Sequence, residues 1–103
     1  METTVDLKTF RQNFGEFLDT VQRDKDATVI VTRYGNPWVV LRSPAAFART
    51  DGFWRERALK VRLELVLLLG TVHYQKKPLL VIRKGEPAAC VCPPGDAPDM
   101  QPI

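Results

Sequence analysis

Apolar residues recur at three- and four-residue spacing early in the chain: Leu7, Phe10, Phe14, Phe17, Leu18 and Val21. Lys8, Arg11, Gln12, Glu16, Asp19 and Gln22 fall mostly off that stripe, which is the pattern of an amphipathic helix. Asp6 is placed to cap its first turn, and Thr3-Thr4-Val5 reads as a short strand before it. Asn13 and Gly15 are weak helix formers, so the spacing allows two short helices broken near Asn13. The polar link Arg23-Asp24-Lys25-Asp26 ends the helical pattern. Beyond it, two β-branched runs, 28–32 and 38–41, flank Tyr34-Gly35-Asn36-Pro37. Gly35-Asn36 suits the positive φ of a tight two-residue turn, which predicts a β-hairpin over residues 27–43. Pro37 has no N–H for a ladder and is expected as the first residue of the return strand. A lone hairpin is marginal in water, so the first helix is its expected cover.

Ser43-Pro44 predicts an N-cap and a proline in the first turn of a short helix over 45–48, which Asp51-Gly52 ends. A second long helix is expected over 53–69, with Gly70 as its C-cap. Its first half is amphipathic and basic, with Glu56→Lys60 as an i,i+4 pair. Its end, residues 65–69, is apolar all round and must be buried on more than one side. Residues 78–91 repeat the strand–turn–strand pattern of the first hairpin. The proline-rich end, 93–103, lacks periodicity and is expected to be a disordered tail.

A chain of 103 residues is one small domain or two very small modules sharing a core. The net charge of +3 is a weak pointer to nucleic acid, but its placement is uneven. Residues 1–52 hold seven Lys/Arg and seven Asp/Glu, whereas residues 53–103 hold eight and five. The longest aliphatic run, 65–69, is too short to cross a bilayer, and METTVDLK lacks the features of a secretory signal. No membrane role is expected, and the cytoplasm is the expected compartment. Cys90 and Cys92 lie on one face of an expected strand, too close in sequence for a good disulfide. Lone His73 does not complete a zinc site with them, so the cysteines read as small strand hydrophobes. There is no Gly-rich phosphate loop, nucleophile–base constellation or metal-ligand spacing, so no enzymatic activity or cofactor is implied.

From residue 6 to 44 the string DLKTFRQNFGEFLDTVQRDKDATVIVTRYGNPWVVLRSP resembles the N-terminal domain of Phd/YefM-type (prevent-host-death) antitoxins. The resemblance lies in an arginine early in the helix, the pattern Phe17-Leu18-Asp19-Thr20-Val21, a short polar link, and Val-Ile-Val-Thr-Arg-Tyr-Gly-Asn-Pro before an aliphatic strand. It covers about the first half of the chain, residues 1–50. It implies an α/β (α+β) fold with helices packed on β-hairpins, a dimer, operator binding as an autorepressor, and neutralisation of a cognate toxin. Arg11 and Arg33 then stand where the family contacts DNA, with Lys8 a weaker candidate. On residue chemistry alone, Arg11 is a solvated helix residue and Arg33 an ordinary strand-end charge.

Residues 51–92 depart from the family pattern and admit two readings. Shifted by fifty, residues 27–44 match 77–94 at five of eighteen positions: Val31/Val81, Arg33/Arg83, Gly35/Gly85, Pro37/Pro87 and Pro44/Pro94. Shifted by fifty-one, residues 7–21 match 58–72 at four of fifteen: Arg11/Arg62, Leu18/Leu69, Thr20/Thr71 and Val21/Val72. A repeat would make the chain a single-chain pseudo-dimer, add Arg62 and Arg83 to the DNA candidates, and make 65–69 the seam. Alternatively, 51–92 is a toxin-binding extension in which Phe53, Trp54, Leu59, Leu63 and Val66 face the toxin. A protein-only interaction module that kept the fold and lost DNA binding is the competing function.

Overall fold

A computed structural model describes residues 2–95 of the chain. The first half runs β1 (Glu2–Asp6), α1 (Leu7–Gln12), α2 (Phe14–Arg23), β2 (Thr28–Arg33) and β3 (Asn36–Arg42). The second half runs through the same order: β4 (Trp54–Arg57), α3 (Ala58–Leu63), α4 (Leu65–Gln75), β5 (Leu79–Arg83) and β6 (Glu86–Cys92). A 3-10 turn, Pro44–Ala46, lies between them. The result is a mixed α/β domain, with four helices and one six-stranded sheet ordered β1-β2-β3-β6-β5-β4.

The sheet has a local two-fold. The outer pairs, β1 with β2 and β4 with β5, are parallel, and each is bridged by its own helical pair. The hairpins β2–β3 and β5–β6 are antiparallel, and β3 meets β6 antiparallel at the centre. There Val40 stands opposite Cys92, Leu41 opposite Val91, and Arg42 opposite Cys90. Exchanging each residue for the one fifty positions away returns the same set of pairs, so the axis passes through Leu41–Val91. This is the geometry of an isologous interface within one chain.

Local chemistry explains the repeated elements. Asp6 accepts the Thr9 N–H at 2.7 Å and so caps α1. The helices kink at Asn13 and at Glu64, with φ/ψ of −122°/31° and −114°/36°. The i→i−4 bonds still run through both kinks, from Asn13 to Thr9 and from Glu64 to Lys60. The kink turns Phe10 and Phe14 edge-to-face, 5.5 Å apart, over the sheet. The helices cover one sheet face, packing Phe10, Leu18, Val61 and Leu69 on Val31, Leu41, Val81 and Val91. On the opposite face the connection between the halves lays Phe47 and Phe53 over Leu80, Cys90 and Cys92.

Three expectations are corrected. Residues 53–69 are not one helix: Phe53 is buried on the back of the sheet, and 54–57 form an edge strand paired to β5. The alternation of half-buried Trp54 and Glu56 with exposed Arg55 and Arg57 has a period of two, which a reading for basic amphipathic spacing overlooks. The Glu56–Lys60 pair forms at 3.4 Å across the strand–helix junction. Gly70 is no C-cap; it lies inside α4, where its bare face seats Trp38, and the helix ends at left-handed Lys76. The hairpin turn is Tyr34-Gly35, with φ of 54° and 79°, and Asn36 already belongs to β3. Of the expected tail, 93–103, Pro93 is buried and Gly95 is exposed, and 96–103 lie outside the described residues.

The second turn repeats the first, with Lys84 at 54° and Gly85 at 77°. A lysine is a poor occupant of the left-handed region, whereas asparagine enters it readily. Lys84→Asn is therefore expected to raise the unfolding free energy by about 0.5–1 kcal/mol. Urea denaturation checks this, and an unchanged midpoint contradicts it.

Candidate nucleic-acid interface

Arg11 is exposed in the last turn of α1, and Arg62 is exposed at the matching point of α3. Neither guanidinium has an ion pair or hydrogen bond among the described residues, so both are free to meet a phosphate. Lys8 is exposed one turn earlier, beside Asp6.

The two hairpin arginines occupy matching positions and have different fates. Arg83 crosses to α2, where it donates to Asp19 Oδ1 at 2.6 Å and to Gln22 Oε1 at 2.7 Å. Arg33 has no such partner; its guanidinium lies over the Trp38 ring at 4.8 Å and the Tyr34 ring at 5.3 Å. Residue 38 explains the difference. Its counterpart is Ala88, small enough to let Arg83 reach the helix. Trp38 instead fills that space, facing Gly70 and His73, which stand where the other half has Asp19 and Gln22. His73 Nδ1 lies 2.8 Å from the Trp38 carbonyl, and a carbonyl can only accept, so Nδ1 carries the proton. Of the hairpin pair, Arg33 alone has no carboxylate partner among the described residues.

The expected toxin-facing residues also divide. Phe53 is core, and half-buried Trp54 donates its Nε1–H to Glu56 at 2.8 Å. Val66 packs partly against the main core. Leu59 and Leu63 are 67% and 75% exposed, and the line continues to Leu67 at 65%. Their counterparts fifty-one positions earlier are Lys8, Gln12 and Glu16, so the fold does not require an apolar surface there. Leu67 departs from the burial expected of the apolar run 65–69, and its four-residue spacing from Leu59 and Leu63 is the signal for it. Sequence reasoning also left out the aromatic cluster of Tyr34, Trp38, His73 and Tyr74. The mismatch of Trp38 with Ala88 within the repeat could have marked it.

Cys90 and Cys92 are free and buried, and no group of metal-ligating side chains occurs among the described residues. Burial raises both thiols, and Cys92 is pushed up to about 12, with Arg42 drawing it partly back. The folded state keeps these thiols neutral where an unfolded chain would ionise them near the ordinary 9.0. Their contribution is complete below that pH and is lost as pH rises towards 12. Urea midpoints of the wild type are therefore expected to fall more between about pH 8 and pH 11 than those of a Cys90→Ala/Cys92→Ala variant. Equal slopes would contradict the assignment.

No helix among the described residues is long and apolar enough to cross a membrane. Comparisons with protein-family models, curated proteins and solved structures return no match for this chain.

Proposed function

We propose that the chain is a Phd/YefM-like antitoxin built as a single-chain pseudo-dimer, which binds operator DNA as an autorepressor and neutralises a cognate toxin. The supporting observation is the local two-fold through Leu41–Val91, which presents α1 and α3 as a matched pair from one polypeptide. Operator-binding dimers use such symmetry to meet two half-sites. Arg11, Arg62 and Arg33 supply the phosphate or base contacts, and Lys8 adds a further charge. Arg83, tied to Asp19, acts within the fold. The Leu59–Leu63–Leu67 line is the surface offered to the toxin.

A titration series in salt tests the DNA half of this reading on the DNA upstream of the coding sequence. Arg11→Ala and Arg33→Ala are each expected to flatten the salt dependence by about one. A lost base contact would add ~1–3 kcal/mol at one position. Arg83→Ala is expected to leave the slope unchanged, because its guanidinium already has partners. Equal affinity of the folded wild type for upstream and random DNA would favour the protein-only module, which the leucine line also fits.

A further inference from the structure

The β2–β3 turn and the end of α4 enclose a cleft of about 320 Å³, lined by Arg33, Tyr34, Asn36, Trp38, His73 and Tyr74. Tyr34 is 88% exposed and Tyr74 is 74% exposed, although both are large rings. Tyr34 also holds a positive φ of 54°, a conformation that favours glycine or asparagine. Tyr74 is braced edge-on against His73, with centroids 4.7 Å apart. Arg33 brings the cleft a cation with uncommitted donors, held on two aromatic faces, and the lining contains no carboxylate.

The site related by the local two-fold provides an internal control. At the matching positions it has Arg83, Lys84, Glu86, Ala88, Gln22 and Arg23, so it has no aromatic ring, and its hairpin arginine is neutralised by Asp19. The fold therefore needs neither the exposed tyrosine rings nor the free guanidinium. A simple anion would be met as well by Lys84 and Arg23. Exposed π-faces beside a free arginine fit a ligand that joins a planar ring to an anion.

We propose that this cleft binds one unpaired nucleotide unit, with its phosphate on the edge of the Arg33 guanidinium and its base against the exposed tyrosine rings. Base pairing hides those base faces in a duplex, so the ligand is a free nucleotide or a nucleotide of a single strand. Asn36 lies at the mouth, where its amide donates to the Tyr34 carbonyl at 3.3 Å and leaves Oδ1 as an acceptor for a base amino group. The site does not rest on operator binding. It shares Arg33 with that reading, but Tyr74 belongs to the cleft alone.

The test is an NMR titration of the full chain with 5′-AMP, adenosine and ribose 5-phosphate. Saturable shifts with 5′-AMP are expected at residues 33–38 and 73–74, without matching shifts at 83–88. Adenosine and ribose 5-phosphate should each bind at least fivefold more weakly than 5′-AMP. Tyr74→Ala should weaken 5′-AMP roughly 5- to 150-fold, the range that one base–aromatic stack supplies, while Tyr74→Phe retains it. Duplex binding by Tyr74→Ala should remain at the wild-type level, which keeps the two proposals separable. A 5′-phosphorylated (dA)4 strand that binds more tightly than 5′-AMP identifies a strand as the source, and equal binding identifies the free nucleotide. Ribose 5-phosphate binding as tightly as 5′-AMP would reduce the cleft to an anion site and overturn the proposal. So would unchanged 5′-AMP affinity in both Tyr34→Ala and Tyr74→Ala, or no saturation below about 10 mM.

Discussion

Leu41→Ala is expected to lower the unfolding free energy by about 3–5 kcal/mol, near the upper end for a leucine truncation. Leu41 is fully buried, faces the helices and stands opposite Val91 on the local two-fold. A cavity elsewhere in the core could close by a shift of one helix. Here the two halves share the lining, so relaxation on one side opens the other. Leu67→Ala removes the same atoms from an exposed position and is expected to change stability by less than about 0.5 kcal/mol. Urea denaturation of the three proteins gives the comparison, with a common m-value showing that the unfolded states are alike. A loss under about 1 kcal/mol for Leu41→Ala would mean that the centre of the sheet is not the seam of the fold.

Where residues carried a strong local signal, the sequence was readable. Asp6 caps α1 through its own carboxylate, and the helix breaks at Asn13, a weak helix former. The first hairpin was visible in its change of period, although its turn lies one residue earlier than glycine–asparagine chemistry suggests. Tyr34 and Lys84 both accept positive φ because the two-residue turns and the bulges between Val31 and Thr32 and between Val81 and Ile82 fix the registers of the two hairpins. That override comes from strand pairing and leaves no mark in residue preference.

β4 was hidden for a related reason. Four residues, Trp54 to Arg57, form a strand only because β5 offers an edge, and the arginines among them suit a basic helix equally well. Among the candidate site residues, the offset of fifty made Arg83 a DNA candidate beside Arg33. Their different fates depend on Trp38 against Ala88, a packing difference that can be followed only when both helices are in place. The line of exposed leucines was likewise obscured, because Leu65, Leu68 and Leu69 beside it are buried.

Cutting the chain between Thr50 and Asp51 is expected to abolish folding of either piece alone and to restore it on mixing. Each fragment keeps one helical pair and one hairpin, but α2 packs on β6 of the other half and α4 on β3. Alone, each would leave a central strand unpaired and the face around Leu41 or Val91 open to water, and an isolated hairpin has little stability of its own. In the intact chain the connecting segment supplies an effective concentration on the order of millimolar, so the mixed pair should become concentration-dependent where the parent is not. Self-pairing of residues 1–50 through β3 is the main competitor. It would place Trp38 against Asp19 and Gln22 instead of Gly70 and His73, and the indole would lose its seat. The mixed complex is therefore expected to form in preference to two copies of the first half. Far-UV circular dichroism and sedimentation of each fragment and of the equimolar mixture, over a concentration series, would show this. A first half that folds as a monomer at micromolar concentration would separate the two halves physically and remove the two-fold frame on which the paired interface depends.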